Sequence, residues 1–298
     1  MPYLVELLTA AAAADPHKEE DLANWIYHHG YVIRYPQSKP DQSINRKHIG
    51  LELARANQGR SFMDIGWVIE TVPGDGSVIA AKHHARRRFS PGEFLTQRNP
   101  GGKPEAGDPI LIYAPVEGKG NPSDAFWFAF GETVSPFGHS EDLIRFYWNI
   151  SADGAPSLVS LITGELNRFQ IPFRFKCPCR ESEYYRLDSA VLYVHKYYWP
   201  IVSKVARRIH ERIAPSLCPG GPPLTRPLAW GLSLAEDPGE GRSFGMHRCT
   251  LLARAALELR LSPGAVPLDT AERHFREAGL DLRVPYLNPG SEDIYDAF

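Results

Sequence analysis

LIRFYWNIS, residues 143–151, and IPFRFKCPCRESEYYRLDSAVLYV, residues 171–194, decide the fold. In the first, Ile144, Phe146, Trp148 and Ile150 alternate with Arg145, Tyr147 and Asn149. In the second, Ile171, Phe173, Phe175 and Cys177 oppose Arg174 and Lys176, and Arg186 and Asp188 sit in an otherwise apolar run from Tyr185 to Val194. Period-two alternation marks a strand with one buried face. If the three strands share a sheet, its outer face carries Arg145, Arg174, Lys176 and Arg186 together. Arg and Lys are also ordinary on the wet face of a strand, so the pattern alone leaves a solvated face and an anion site both open.

Working outward, residues 153–169 read as a helix entered through an Asp-Gly turn and Pro156, with Leu158, Leu161, Ile162, Leu166 and Phe169 at helical spacing. A second amphipathic helix spans about 199–213, its stripe Ile201, Val202, Val205, Ile209 and Ile213. Leu228, Trp230, Leu232 and Leu234 alternate as one further strand. DPGEGRSFGMHRC, residues 237–249, is a Gly-rich loop leading to Ser243 as N-cap of a helix that runs to about Arg260. Backbone N–H groups at such a start bind anions, and Arg242, His247 and Arg248 add donors there. A short helix covers about 270–278, and PYLNPGSEDIYDAF closes the chain as an extended covering segment.

Upstream, helices are expected over 3–14, 21–29 and from Ser43 to about Asn57, then a hairpin from Phe62 to His84 around PGDG, and strands at 110–113 and 125–130. Pro91 to Asp108 reads as a loop. The run KHHARRRF, residues 82–89, fits a solvated hairpin edge that resists edge pairing, with peptide docking as the alternative. The chain thus divides into an N-terminal helical portion, 1–60, and an α+β domain, 61–298, with a central, mostly antiparallel sheet flanked by helices.

Bulk properties bound the function. The 298 residues carry a net charge of −2 and are 43% hydrophobic, so no global field draws nucleic acid or an acidic membrane, and any anion recognition is local. No apolar run reaches the length of a membrane span and the start lacks a signal-peptide pattern, so a cytoplasmic protein is expected. Four cysteines, Cys177, Cys179, Cys218 and Cys249, make neither a disulfide framework nor a zinc site, and no metal is expected. Gly241-Arg242-Ser243-Phe244-Gly245 spells G-x-S-x-G, with Asp269 and His274 downstream in triad order, but several residues separate Ser243 from the preceding strand and a serine hydrolase is the weaker alternative.

RFYWNIS, LN-x-x-x-IPFRFKCP, YYRLDSAVLYV, AEDPGEGRSFGMHRC and PYLNP, in that order from about Phe126 to the C-terminus, resemble the HopA-type effector family, whose domain recurs in gene clusters for class V lanthipeptides and thioamitides. The resemblance implies a phosphoserine/phosphothreonine lyase: a separate Ser/Thr kinase phosphorylates a precursor peptide, and this protein eliminates phosphate to leave dehydroalanine or dehydrobutyrine. Elimination of this kind needs a base for the Cα–H, donors for the departing phosphate and no cofactor. Arg174-Phe175-Lys176 is similar to the Lys-x-Lys pair of unrelated phosphothreonine lyases, which implies Lys176 as base. His247 is the expected acid, with His139 and His84 next. Arg145, Arg174, Arg186, Arg242, Arg248, Tyr147 and Asn149 are the expected phosphate and substrate ligands. Lys82-His83-His84 matches a Lys-x-His pair by spelling. A non-catalytic scaffold that presents the precursor peptide to its kinase is the alternative from a different class.

Overall fold

The computed structural model describes residues 2–37, 47–82, 85–114, 116, 125–133, 135, 142–239, 241–262 and 264–298. Helices α1 (Pro2–Ala13), α2 (Glu19–Ile26) and α3 (Gly50–Ala56) lead into strands β1 (Phe62–Thr71), β2 (Val78–Lys82), β3 (Ala85–Phe89), β4 (Phe94–Thr96) and β5 (Pro109–Ala114). There follow β6 (Phe126–Phe130), β7 (Leu143–Trp148), α4 (Ala155–Arg168), β8 (Phe173–Pro178), β9 (Ala190–His195), α5 (Trp199–Ile213), β10 (Arg226–Ala229), β11 (Leu232–Glu236), α6 (Phe244–Leu261) and α7 (Pro267–Glu277). The protein is a mixed α+β fold with two antiparallel sheets.

The larger sheet has the order β10-β11-β7-β9-β8-β6. The apolar residues Ile144, Phe146, Trp148, Phe173, Phe175 and Cys177 are buried, as the alternation requires. On that side Phe146 stacks on Trp199 of α5, and the stripe Val202, Val205, Ala206, Ile209 and Ile213 is buried with it. Ile201, expected in that stripe, is 48% exposed and falls outside it. The predicted strand through Leu228 and Leu234 is instead a hairpin: Gly231 takes φ +67°, which only glycine adopts freely, and Trp230 is turned out to solvent.

The smaller sheet, β3-β2-β1-β5-β4, has its own core of Trp67, Ile69, Val78, Ala80, Phe89, Ile110 and Ile112. KHHARRRF supplies its edge strand β3, and the loop read over 91–108 contains β4 at the opposite edge. Buried residues do not group along the expected division at residue 60. Leu4, Leu7, Leu8, Leu22 and Ile26 join the same core as Phe244, Leu252 and Phe275, because α1 and α2 pack on α6. Ser43 lies outside the described residues. The C-terminal segment is a strap: Glu236 N donates to Tyr286 O at 2.8 Å, Tyr295 Oη to Glu236 Oε1 at 2.7 Å, and Phe298 N to Leu228 O at 2.8 Å. Among the described residues, no helix is long and apolar enough to cross a membrane.

One arginine ties α6 to the end of α1. Arg260, in the last turn of α6, donates to the carbonyls of Ala11, Ala12, Ala14 and Pro16 at 2.6–2.8 Å. Ala11 and Ala12 lie in the last turn of α1 and Ala14 and Pro16 just beyond it, and a cation at a helix C-terminus is favoured by the helix dipole. Arg260→Ala is expected to destabilise the protein by about 2–3 kcal/mol, with Arg260→Lys recovering part. Urea unfolding reads this directly, and an unchanged midpoint would show that the contact contributes nothing.

Candidate functional site

Register fixes which side chains share the face of the large sheet opposite α5. Arg145 pairs with Tyr193 and Ala235, Tyr193 with Arg174, and Arg174 with Phe130. Two residues along, Tyr147, Val191, Lys176 and Phe128 form the next row. The start of α6 covers one half of this face. Phe244 lies 6.4 Å from the Tyr147 ring, and Tyr147 and Arg145 are buried. The half formed by β8 and β6 is open: Arg174 is exposed, and Lys176, Phe126, Phe128 and Phe130 are half-buried.

The cations on this face are held in two ways. Arg145 Nε donates to Asp237 Oδ2 at 2.7 Å and its NH2 to the Arg242 carbonyl at 2.7 Å. Arg186 is not on a strand, because β9 begins only at Ala190. It forks onto Asp188 at 2.9 and 3.1 Å and reaches the Tyr27 hydroxyl at 3.2 Å. Both guanidinium groups are therefore already compensated by carboxylates. Arg174 and Lys176 have no carboxylate within ion-pair distance among the described residues. They rest on rings instead: Arg174 Cζ is 4.3 Å from the Tyr193 centroid and Lys176 Nζ is 4.7 Å from that of Phe126. Arg186 Cζ lies 5.7 Å from the same Phe126 ring, which brings it to the Lys176 side despite its place in a turn. The result is a strip of aromatic rings carrying an amine and a guanidinium two residues apart, able to grip an oxyanion beside an apolar group.

His247 and its neighbours Arg242, Ser243 and Arg248 line a different cavity. His247 Nδ1 takes a hydrogen bond from Arg248 NH1 at 2.6 Å, so its proton resides on Nε2. Burial first, then the charges of Arg248, Arg242 and Arg254, push its pKa down to about 4, and the ring is neutral at pH 7. With Arg242, Ser243, Arg248, Arg254 and Asn288 it opens on a cavity of about 790 Å³ whose lining includes none of Arg145, Arg174, Lys176 or Arg186. The expected acid is thus not brought to the expected base. His139 and His84 lie outside the described residues, as does His83, while Lys82 Nζ is 2.6 Å from Asp64 in the small sheet.

Other expected ligands have structural partners. Arg248 is 1% exposed and donates to the carbonyls of Pro285 and Leu287 at 2.8 and 2.9 Å, anchoring the strap. Asn149 Nδ2 donates to Pro219 O at 2.9 Å, fixing the loop after α5. Tyr147 is buried and burial raises its pKa, so the phenol stays protonated. Ser243 occupies the N-cap position but makes no side-chain capping bond, contrary to expectation. Gly245 follows it because a Cβ there would come within 2.6 Å of Tyr31, a packing reason for the second glycine of G-x-S-x-G. The triad does not assemble: His274 Nε2 bonds Glu258 at 3.0 Å.

Sequence reasoning missed Phe126, Tyr193 and Asp237. Alternation in FWFAF would have put Phe126, Phe128 and Phe130 on one face, but only strand register shows which cations they meet. Asp237 secures both Arg145 and, through Oδ1, the Gly239 N–H at 2.9 Å. Removing one partner of a buried ion pair leaves the other charge uncompensated. Asp237→Ala should cost about 3–5 kcal/mol, and Arg145→Met in the same chain should restore much of it. Chemical denaturation of both variants measures this, and equal stabilities of the two would refute the coupling.

Comparison with known proteins agrees with this architecture. The model of the HopA1 effector protein family matches residues 118–287, more than half of the chain. The solved structure of an effector protein from Pseudomonas syringae pv. tomato strain DC3000 superposes with a TM-score of 0.57 at 17% identity, covering 96% of each chain. That of an effector protein from Pseudomonas syringae pv. syringae strain 61 gives 0.55 at 13% identity, again with 96% of each chain covered. No curated protein sequence matches. At these identities the structural likeness concerns the fold, while the family match covers β6 to the strap, every element that bears the site. The chain belongs to the HopA1 effector protein family.

Proposed function

We propose that the protein is a phosphoserine/phosphothreonine lyase acting on a peptide that a separate kinase has phosphorylated, as in lanthipeptide-type biosynthesis. One observation supports this above the others. Arg174 and Lys176 project from one face of β8, on aromatic rings and without a carboxylate partner among the described residues. The Lys176 amine, in its unprotonated form, takes the α-proton of the phosphorylated residue. The electron pair of that C–H bond becomes the Cα=Cβ bond, and the pair of the Cβ–O bond leaves with phosphate. Arg174 forks the phosphate oxygens. Phe126, Phe128 and Tyr193 give the β-carbon, and the methyl group of threonine, an apolar bed. No cofactor takes part in these steps.

The scaffold reading keeps one observation on its side: His247 opens on a different cavity from Lys176. A scaffold would bind the phosphopeptide and leave it intact. Mass spectrometry of a phosphothreonine peptide incubated with the protein separates the two, through loss of phosphoric acid. Under the lyase reading Lys176→Ala abolishes that loss while phosphopeptide binding persists. Wild-type turnover by this variant would remove Lys176 from the mechanism. Arg174→Ala should weaken phosphopeptide affinity by about 10- to 150-fold, the worth of one charged hydrogen bond of about 1.5–3 kcal/mol, with little effect on the unphosphorylated peptide. Equal losses for both peptides would assign Arg174 to the peptide chain and not to its phosphate.

A further inference from the structure

The α6 cavity remains without a role once the reaction is assigned to β8. We propose that it is a second oxyanion site, separate from the open sheet face, which takes a phosphoryl group.

The central observation is Arg248. Its guanidinium is 1% exposed, yet its hydrogen-bond partners are two carbonyls and the His247 imidazole, none of them charged. The carboxylate whose field reaches it, Glu236, is held by Lys196 Nζ at 2.6 Å. A buried cation with neutral partners alone is costly, and burial pulls the Arg248 pKa down to about 10. An anion in the adjoining space relieves that cost. The space exists: about 790 Å³, lined by Arg242, Arg248 and Arg254 and, among the described residues, by no acidic side chain. Glu19, on α2, meets Arg254 at 3.1 Å from outside that lining.

The donors suit a phosphoryl group. His247 accepts from Arg248 through Nδ1 and so carries Nε2–H. The Ser243 side chain does not cap its own helix and lines the same space, as does Asn288. The backbone links the two anion sites: the carbonyl of Arg242 accepts from Arg145, which lies over Tyr193 on the sheet face. Phosphate could reach the cavity free, after release, or as a second phosphoryl group on the same peptide. The chemistry recognised is the same.

Calorimetry with inorganic phosphate tests this, using R174A/K176A so that the sheet face does not contribute. Binding should persist in that variant and fall by at least about tenfold when Arg242→Ala and Arg254→Ala, both exposed positions, are added. In NMR titrations of wild type, saturating phosphate should raise the pH at which His247 titrates by about one. Binding indifferent to loss of Arg242 and Arg254, or a His247 titration that phosphate leaves in place, overturns the proposal. Peptides with one and two phosphorylated residues identify the source. Tighter binding of the doubly phosphorylated peptide, erased by R242A/R254A, assigns the site to the peptide, and equal binding assigns it to free phosphate. Both results keep the oxyanion site. A wild-type protein that binds phosphate here but never eliminates it defeats the lyase assignment and leaves this one standing.

Discussion

The ion pair between Arg145 and Asp237 sets the limits of the site. Both side chains are less than a tenth exposed, and the second donor of Arg145 holds the carbonyl of Arg242. The sheet is thereby tied to the loop that launches α6, and the start of α6 is laid over β7 with Phe244 against Tyr147. Desolvating two charges is expensive, and a pair of this kind is better understood as fixing a geometry than as adding stability. Here the geometry is a half-covered face. Where α6 stops, β8 and β6 present cations and rings to solvent.

Much of this was legible in the sequence, for a physical reason. Alternation in LIRFYW and FRFKCP reports directly which residues meet a core, and those strands form as read, with Arg145, Arg174 and Lys176 on one face. Helices with a strong apolar stripe or a Pro in the first turn were equally clear at 155–168 and 199–213. What failed lacked such a signal. A run of hydrophobic residues from 228 to 234 cannot show that Gly231 turns the chain back on itself. Nor can Arg186, in an apolar run, show that β9 starts four residues later, at Ala190. Ser243 and His247 do share a helix face, as i and i+4 spacing requires, but spacing does not say what that face looks upon. That depends on the packing of α6 against α1, α2 and the sheet, which is tertiary information.

The arginines divide by what answers their charge, and that division says which can serve a ligand. Arg260 ends among carbonyls at and just beyond the last turn of α1, so its function is to close the fold. Arg145 and Arg186 have carboxylates, and an incoming anion would compete with Asp237 and Asp188. Arg174 and Lys176 have aromatic faces, a weaker hold of about 0.5–2 kcal/mol that orients a cation without neutralising it. A charge so placed keeps most of its field for a ligand while its side chain is kept from wandering, and the ordering cost on binding is correspondingly small.

The same reasoning changes the meaning of the HRC segment, residues 247–249. From the sequence, His247 beside Arg248 looked like a donor pair aimed at a leaving group. In the fold Arg248 points inward and ties down the strap through Pro285 and Leu287, and it takes the imidazole as its third partner. The arginine therefore fixes the tautomer of the histidine, and with Arg242 and Arg254 it lowers the histidine's proton affinity. A neutral ring with an N–H directed by its neighbour is suited to donating a hydrogen bond to an anion and poorly suited to giving up a proton at neutral pH. Binding and proton transfer make opposite demands on a histidine. The arginines around His247 favour binding, which suits the ring to an anion in the α6 cavity better than to proton transfer.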